Sequence, residues 1–445
     1  MSSSATATIT ELEARHRKWL AIISPTIRIA TRLLLNALSN LSQFDSSAAV
    51  SSSNVNPLLR WDAFHFAHIA QKGYVHEYEW AFFPGTPLLM RLGGKCISFA
   101  RMALGDRDGA VQMADLLNGG ALAALLCDPT TTLYRLTMHH FHSPHLALMV
   151  SVLSLMPSSP ATLHAAAYSE PFYTYLSYKG MLCCTDSQWF LASICFALAA
   201  SFRSNGILLS GFVLWGLLVR PFIQNERVPL LRVMYSLLLT AVTFIPFAYQ
   251  HYAGYMAYCV PTSLNAANEI PSWCKAMVPS IYTHVQSKYW KGNGLLQYWT
   301  LAQIPNFLIS APAYALLLSF CLWHLTGALG PQLEASYARL TSSTSRVLRP
   351  KPPHSSPFLS STITPHALHG LFLTLTLLFN SHVQIMLRQA ASMPIVYWAA
   401  AWLFLANEDG GKDAGRWRWS RLWVGWSCTW GAISLILWVT FLPPA

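Results

Sequence analysis

Ten apolar runs, each near the ~20 residues a helix needs to cross a hydrocarbon core, recur along this 445-residue chain. They lie close to 18–41, 108–127, 131–156, 161–183, 187–219, 229–250, 300–326, 365–383, 388–406 and 420–441. Inside a bilayer the backbone must satisfy its own donors and acceptors, and runs of this length do so as helices. Composition agrees: 53% of residues are apolar, 11% are charged, and there are 17 Trp, 18 Tyr and 22 Phe. The net charge of +11 does not signal nucleic acid. The basic residues stand singly between apolar runs, with no Lys/Arg block interleaved with stacking aromatics, so we expect no nucleic-acid partner.

Basic residues instead set the orientation. Arg15, Arg17 and Lys18 at the N-terminus, Arg220, Arg227 and Arg232 in a short turn, Arg339, Arg346, Arg349 and Lys351 in a Ser/Pro-rich stretch, and Lys412, Arg416, Arg418 and Arg421 near the C-terminus mark cytosolic segments. The two long loops, 42–107 and 251–299, then fall on the opposite side. Parity requires one more crossing. Splitting 187–219 at Arg203-Ser204-Asn205-Gly206 supplies it, and broken helices are tolerated where they line a cavity. The expected fold is an all-α polytopic bundle of about 11 transmembrane helices, with interfacial helices near 60–72 and 87–103. The expected organisation is a cytosolic N-terminus (1–17), a transmembrane module (18–326) containing both loops, a cytosolic linker (327–364) and C-terminal helices (365–445). No small-residue cleavage site follows the first run, which reads as a retained anchor.

Only 18 residues are acidic, so an acid beside the membrane invites a functional question. Asp62 is the best framed, in Arg60-Trp61-Asp62-Ala63 ahead of an amphipathic segment. It is either a functional carboxylate, taking a proton from a sugar hydroxyl or binding a divalent metal, or an N-cap of an interfacial helix. Glu170, directly before Pro171, reads first as a helix-start acid. Arg203 and Asn205 interrupt an apolar run; the Arg either snorkels or faces a phosphate. His382, Gln384 and Arg388 gather at a break between two late spans, where they suit a phosphate or sugar, or simply a connecting loop. Lys288, Tyr289, Trp290, Lys291 and Gly292 read more readily as an interface belt than as an anion-binding surface. On an oxidising side, Cys259 and Cys274 favour a disulfide pinning the second loop over two free thiols. The other cysteines show no metal-ligand spacing. His139, His140, His142 and His145 have metal-ligand chemistry but fall at an expected cytosolic edge; the expectation is no cofactor, with a divalent metal as the alternative.

The chain resembles a known family. Arg60-Trp61-Asp62-Ala63-Phe64-His65-Phe66, Ile69-Ala70-Gln71-Lys72-Gly73-Tyr74 and Phe82-Phe83-Pro84 are similar to the first-loop motif of the eukaryotic GPI mannosyltransferase 2 family. The likeness continues through Ser159-Pro160-Ala161, Tyr168-Ser169-Glu170-Pro171-Phe172, Phe202-Arg203-Ser204-Asn205-Gly206, and His382-Val383-Gln384-Ile385 with Arg388, Tyr397 and Trp398. It spans roughly residues 12–442; the stretches 42–53 and 331–364 look like insertions.

The resemblance implies an endoplasmic-reticulum enzyme of the GT-C superfamily with a lumenal active site. Its donor would be dolichyl-phosphate-mannose and its acceptor a mannosyl-glucosaminyl-acyl-phosphatidylinositol, joined through an inverting α-1,6 transfer. Asp62 would be the critical acid and Trp61 its companion. Arg203, His382 and Arg388 would meet the phosphate, while Glu170 and Gln384 orient sugar hydroxyls. A small accessory membrane subunit is implied as a partner. A transporter is the rival reading from another class, but no inverted repeat supports it. Another dolichyl-phosphate-sugar transferase is the rival within the fold.

Overall fold

A computed structural model describes residues 2–44, 57–106, 109–260, 270–290, 292–341, 356–405 and 414–443. Arg346, Arg349, Lys351, Lys412, Lys291, and most of the expected insertion at 42–53, lie outside the described residues. All regular structure among the described residues is helical.

The chain opens with α1 (Ser2–Leu38), the short amphipathic α2 (Asp62–Lys72), and a hairpin of α3 (Gly85–Ala103) and α4 (Met113–Leu126). A central group follows: α5 (Thr130–Phe141), α6 (Pro144–Ser154), α7 (Ser169–Thr185), α8 (Trp189–Ala200), α9 (Ser210–Leu214) and α10 (Arg220–Ile223). Next come α11 (Leu230–Tyr258), α12 (Ile281–Tyr289), α13 (Ile304–His324) and α14 (Gly330–Thr341). The last four are α15 (Thr364–Asn380), α16 (Ile385–Gln389), α17 (Pro394–Leu405) and α18 (Ala414–Val439).

Among the described residues six segments are long and apolar enough to cross a bilayer: Ile9–Leu38, Ser204–Ile223, Leu230–Tyr258, Leu301–Arg339, Ser361–Asn380 and Trp417–Val439. The sequence reading expected about 11 crossings; six apolar segments have the length of a full span, and the other apolar runs form shorter helices, as α4 does with 14 residues. The run 131–156 breaks at His142, which is left-handed, and at Ser143, whose hydroxyl caps α6 by accepting the Leu146 N–H at 3.3 Å, with Pro144 next. The run 161–183 begins as a wide turn over Ala161–Ala165 and becomes α7 only at Ser169. The run 388–406 yields α17, whose 12 residues rise only ~18 Å. The run 187–219 does break at Arg203, where α8 ends and a 3-10 turn begins at Ser204.

The expected interfacial helix near 87–103 is α3, but it packs against α4 rather than lying alone. Gly93 and Gly119 let the two backbones meet: a Cβ on Gly119 would come within 2.3 Å of the Gly93 carbonyl carbon. Outward faces carry apolar residues. On α11, Leu230, Leu231, Met234, Leu237, Leu238 and Ile245 are all exposed, as a helix side facing lipid requires.

Candidate active site

Asp62 does not cap α2; it is the first helical residue, and the cap position belongs to Trp61. Trp61 sits at φ 51°, ψ −124°, a conformation that a type II′ turn normally gives to glycine. Holding a Cβ there costs of order 1–3 kcal/mol. The turn closes through the Ala63 N–H donating to the Arg60 carbonyl at 3.0 Å. The buried Tyr168 hydroxyl spans the strained residue. It accepts the Asp62 N–H at 2.9 Å and donates to the Arg60 carbonyl at 3.2 Å.

The same turn is braced by the end of the chain. Arg60 is buried, donates to the Val439 carbonyl at 3.2 Å, and lies 4.0 Å over the Phe441 ring. Burial lowers its pKa to about 10. Trp438 donates to the Pro57 carbonyl at 2.8 Å and packs edge-on against Tyr168. The angle at which Asp62 leaves the turn is therefore set by α7, α18 and the segment before α2 together.

Four charged side chains meet at this point. The Arg388 Nη1 donates to Asp62 Oδ2 at 3.0 Å and lies 3.6 Å from Glu170 Oε1. Arg203 Nη1 donates to the same Glu170 oxygen at 2.7 Å. Glu170, in the first turn of α7, thus occupies the helix-start position the sequence suggested and also pairs two guanidiniums. Its Oε2 and the Arg388 Nε are both buried without a hydrogen-bond partner. Burial works against the charge on Arg388, but Glu170 and Asp62 prevail and hold its pKa above the usual arginine value.

This array forms one side of a cleft of about 430 Å³. Phe82 and Phe83 make a second wall, the break at Phe202-Arg203-Ser204-Asn205 a third, and Tyr282, Gln286 and Trp290 of the α12 region a fourth. His382 completes the lining beside Arg388. A smaller recess of about 80 Å³ lies behind, lined by Trp61, Thr162, Trp438 and Pro443, and Asp62 and Arg388 border both spaces.

Of the residues singled out in the sequence, Asp62, Arg203, Asn205, His382 and Arg388 line the cleft, while Glu170 stands behind the two arginines. Gln384 does not join them. Its Nε2 donates to Asn306 Oδ1 on α13 at 2.6 Å, two residues beyond His382 on the turn, so it tethers α16 to α13. Lys288 is engaged by Glu77 at 2.7 Å, and Tyr289 donates to the same carboxylate, which clamps the first long loop to the second. Cys259 and Cys274 are disulfide-bonded, tying the end of α11 to the segment before α12.

Two contributors were missed by the sequence reading. Tyr168 precedes Ser169-Glu170-Pro171, and its residue type alone assigns it no role. Gln250, buried in α11, donates to the carbonyls of Trp80 and Phe82 at 3.1 and 3.4 Å and fixes the Phe82 wall. The usable signal was a glutamine inside a long apolar helix, which needs partners.

The fold and site define a multi-pass helical membrane protein with an acid–guanidinium cleft bounded by aromatic walls. A family model described as Mannosyltransferase (PIG-V) matches residues 19–445, and the chain belongs to that family. Among curated relatives, GPI mannosyltransferase 2 of Cryptococcus neoformans var. neoformans serotype D is 33% identical over 436 residues, covering 94% of this chain and 96% of its own. GPI alpha-1,6-mannosyltransferase 2 of Homo sapiens is 31% identical over 375 residues, covering 79% and 74%. A solved structure, the Archaeoglobus fulgidus oligosaccharyltransferase, aligns with 95% of this chain but spans only 53% of that protein, at 10% identity and a TM-score of 0.44, too low to argue from.

Proposed function

We propose that this chain adds the second mannose to a GPI precursor, taking it from dolichyl-phosphate-mannose on the lumenal side of the endoplasmic-reticulum membrane. The relatives' names support the acceptor and the α-1,6 linkage. The observation that carries the chemistry is the pairing of Asp62 with Arg388 at the border of cleft and recess.

The donor sugar and its phosphate lie in the larger cleft, where aromatic walls offer faces to the pyranose. Arg203, Arg388 and His382 surround the phosphate. The acceptor mannose approaches from the recess beside Trp61. Its 6-hydroxyl oxygen attacks the anomeric carbon, the proton passes to Asp62, and the carbon–oxygen bond to the phosphate breaks with inversion. Dolichyl phosphate departs carrying the electron pair, and the guanidiniums stabilise its growing charge without having to reorganise.

The resting contact between Arg388 and Asp62 fits this sequence. An arriving phosphate competes for the Arg388 guanidinium and releases the Asp62 carboxylate as the donor seats. The base is thereby freed only in the loaded enzyme.

The test is complementation of cells lacking the second-mannose activity, with GPI precursors resolved by mass spectrometry. Wild type should consume the one-mannose precursor, and Asp62→Asn at equal abundance should not. Equal rescue by both would remove Asp62 from the chemistry. Failure of correctly localised wild type, alone and with an accessory subunit supplied, would overturn the acceptor assignment.

A further inference from the structure

The wall that carries Phe82 is attached to the helix that carries Asp62 by a group outside the cleft. His68 on α2, and His76 and Glu79 on the following loop, bring one ring nitrogen each and a carboxylate oxygen within 4.8 Å of one another. We propose that these three residues form a site for a divalent transition metal, with Zn²⁺ the best match, that fixes the cleft wall to α2. This proposal does not depend on the reaction assigned above.

The first argument is electrostatic. Glu79 is 1% exposed, and among the described residues no Lys or Arg pairs with it. Its charge is met by the amides of Val75 and His76, which both donate to Oε2 at 2.8 Å, and by His68 Nδ1 at Oε1. Of these donors only the His68 ring can carry a positive charge, and a divalent cation would supply a larger one at the buried carboxylate.

The second argument is the donor set. Two imidazoles and one carboxylate are ligands suited to Zn²⁺ or its first-row neighbours rather than to Mg²⁺ or Ca²⁺. The His68 and His76 rings lie nearly parallel, 19° apart with centroids at 5.5 Å. The three donor atoms lie within 4.8 Å of one another, against the roughly 3.4 Å separation of a tetrahedral zinc shell, and a bound ion would replace the His68–Glu79 hydrogen bond. Glu79 is already oriented by its two amide bonds, as ligating carboxylates usually are. His76 is exposed, so the ion has an entry path and a fourth position for water.

The consequence follows from connectivity. The loop Gly73–Ala81 leads directly into Phe82, which stacks on His65 of α2 with centroids 4.6 Å apart. A metal bridging His68 to His76 and Glu79 holds that loop against α2 and keeps the wall in register with Asp62.

The experiment uses tag-free, full-length protein purified in detergent and stripped with EDTA. Zn²⁺ is titrated by calorimetry, metal content is measured after dialysis, and Tm is recorded with and without the ion. Wild type should retain one equivalent and gain several degrees of Tm. His76→Ala, a change at an exposed side chain, should keep the metal-free Tm but lose both the equivalent and the gain. Glu79→Gln should also lose the bound equivalent and the gain, from a lower metal-free Tm, because its amide cannot accept all three of the hydrogen bonds that the carboxylate does. Absence of bound Zn²⁺ in wild type, or equal uptake by His76→Ala, would overturn the proposal and leave His68 and Glu79 as a hydrogen-bonded pair.

Discussion

Arg388 reaches two carboxylates through one nitrogen, Asp62 at 3.0 Å and Glu170 at 3.6 Å, and so joins the first loop to the start of α7. The two acids differ in setting. Asp62 is 38% exposed on its side chain and opens onto the cleft, whereas Glu170 is 3% exposed and cannot lose its partners without a penalty. The more exposed acid borders the cleft; the buried one pairs with both arginines.

Arg388→Ala should therefore act on stability as well as turnover. Removing one partner of a buried pair costs 3–5 kcal/mol, and the exposure of Asp62 puts the expected loss at about 3 kcal/mol. Arg388→Lys should recover much of the Tm but little activity, because a point charge cannot span both acids and a phosphate. Thermal unfolding in detergent, set beside mannose transfer, separates the two effects.

Tyr168→Phe removes the hydroxyl that bridges the strained Trp61 while keeping the ring against Trp438. Two hydrogen bonds of about 1 kcal/mol each disappear, and the turn relaxes. The expected result is a kcat lowered about tenfold, equivalent to 1.4 kcal/mol, with the donor KM unchanged. A raised donor KM with normal kcat would show that Tyr168 shapes the binding site rather than aiming Asp62.

The stability of the cleft wall should depend on pH through His65. Burial lowers its pKa in the folded protein, although Asp62 and Glu79 oppose the shift. The unfolded chain therefore binds the proton more readily. The contribution to stability is complete above the unfolded value of ~6.5 and is lost as pH falls toward the folded pKa. Tm should drop between pH 7 and pH 5. His65→Phe, which keeps a ring against Phe82, should flatten that slope.

Reduction of the Cys259–Cys274 bond should loosen the α12 wall. Closing a loop of this size is worth about 3 kcal/mol in chain entropy. Cys274→Ser should lower Tm and raise the donor KM, because Tyr282, Gln286 and Trp290 would no longer be held across from Arg388. Proteolysis confined to the 260–275 region would mark the loss.

Much of this could be read along the chain. Long apolar runs identified a helical membrane protein, and the scarcity of acids made Asp62 conspicuous. The break at Arg203 was visible because Arg, Asn and Gly interrupt an apolar run, and the structure ends α8 there. Helix count was less legible. Hydropathy sums over a run and does not register a left-handed His142 or a capping Ser143, so one expected span became two helices.

The site divides in the same way. Residue type and setting made Asp62, Arg203, His382 and Arg388 candidates, because a charge beside lipid must be paired or used. Their grouping depended on distance in space, and so did the exclusion of Gln384, which hydrogen-bonds Asn306 on a different helix. The ordinary sequence of a helix start gave no sign that Tyr168 would span a strained Trp61 more than 100 positions away. The sequence by itself determined the membrane class and the chemical groups, since both follow from which side chains can tolerate a bilayer. Only the tertiary structure decided which acid is buried and which opens onto the cleft, because that depends on how α7, α16 and α18 pack around one turn.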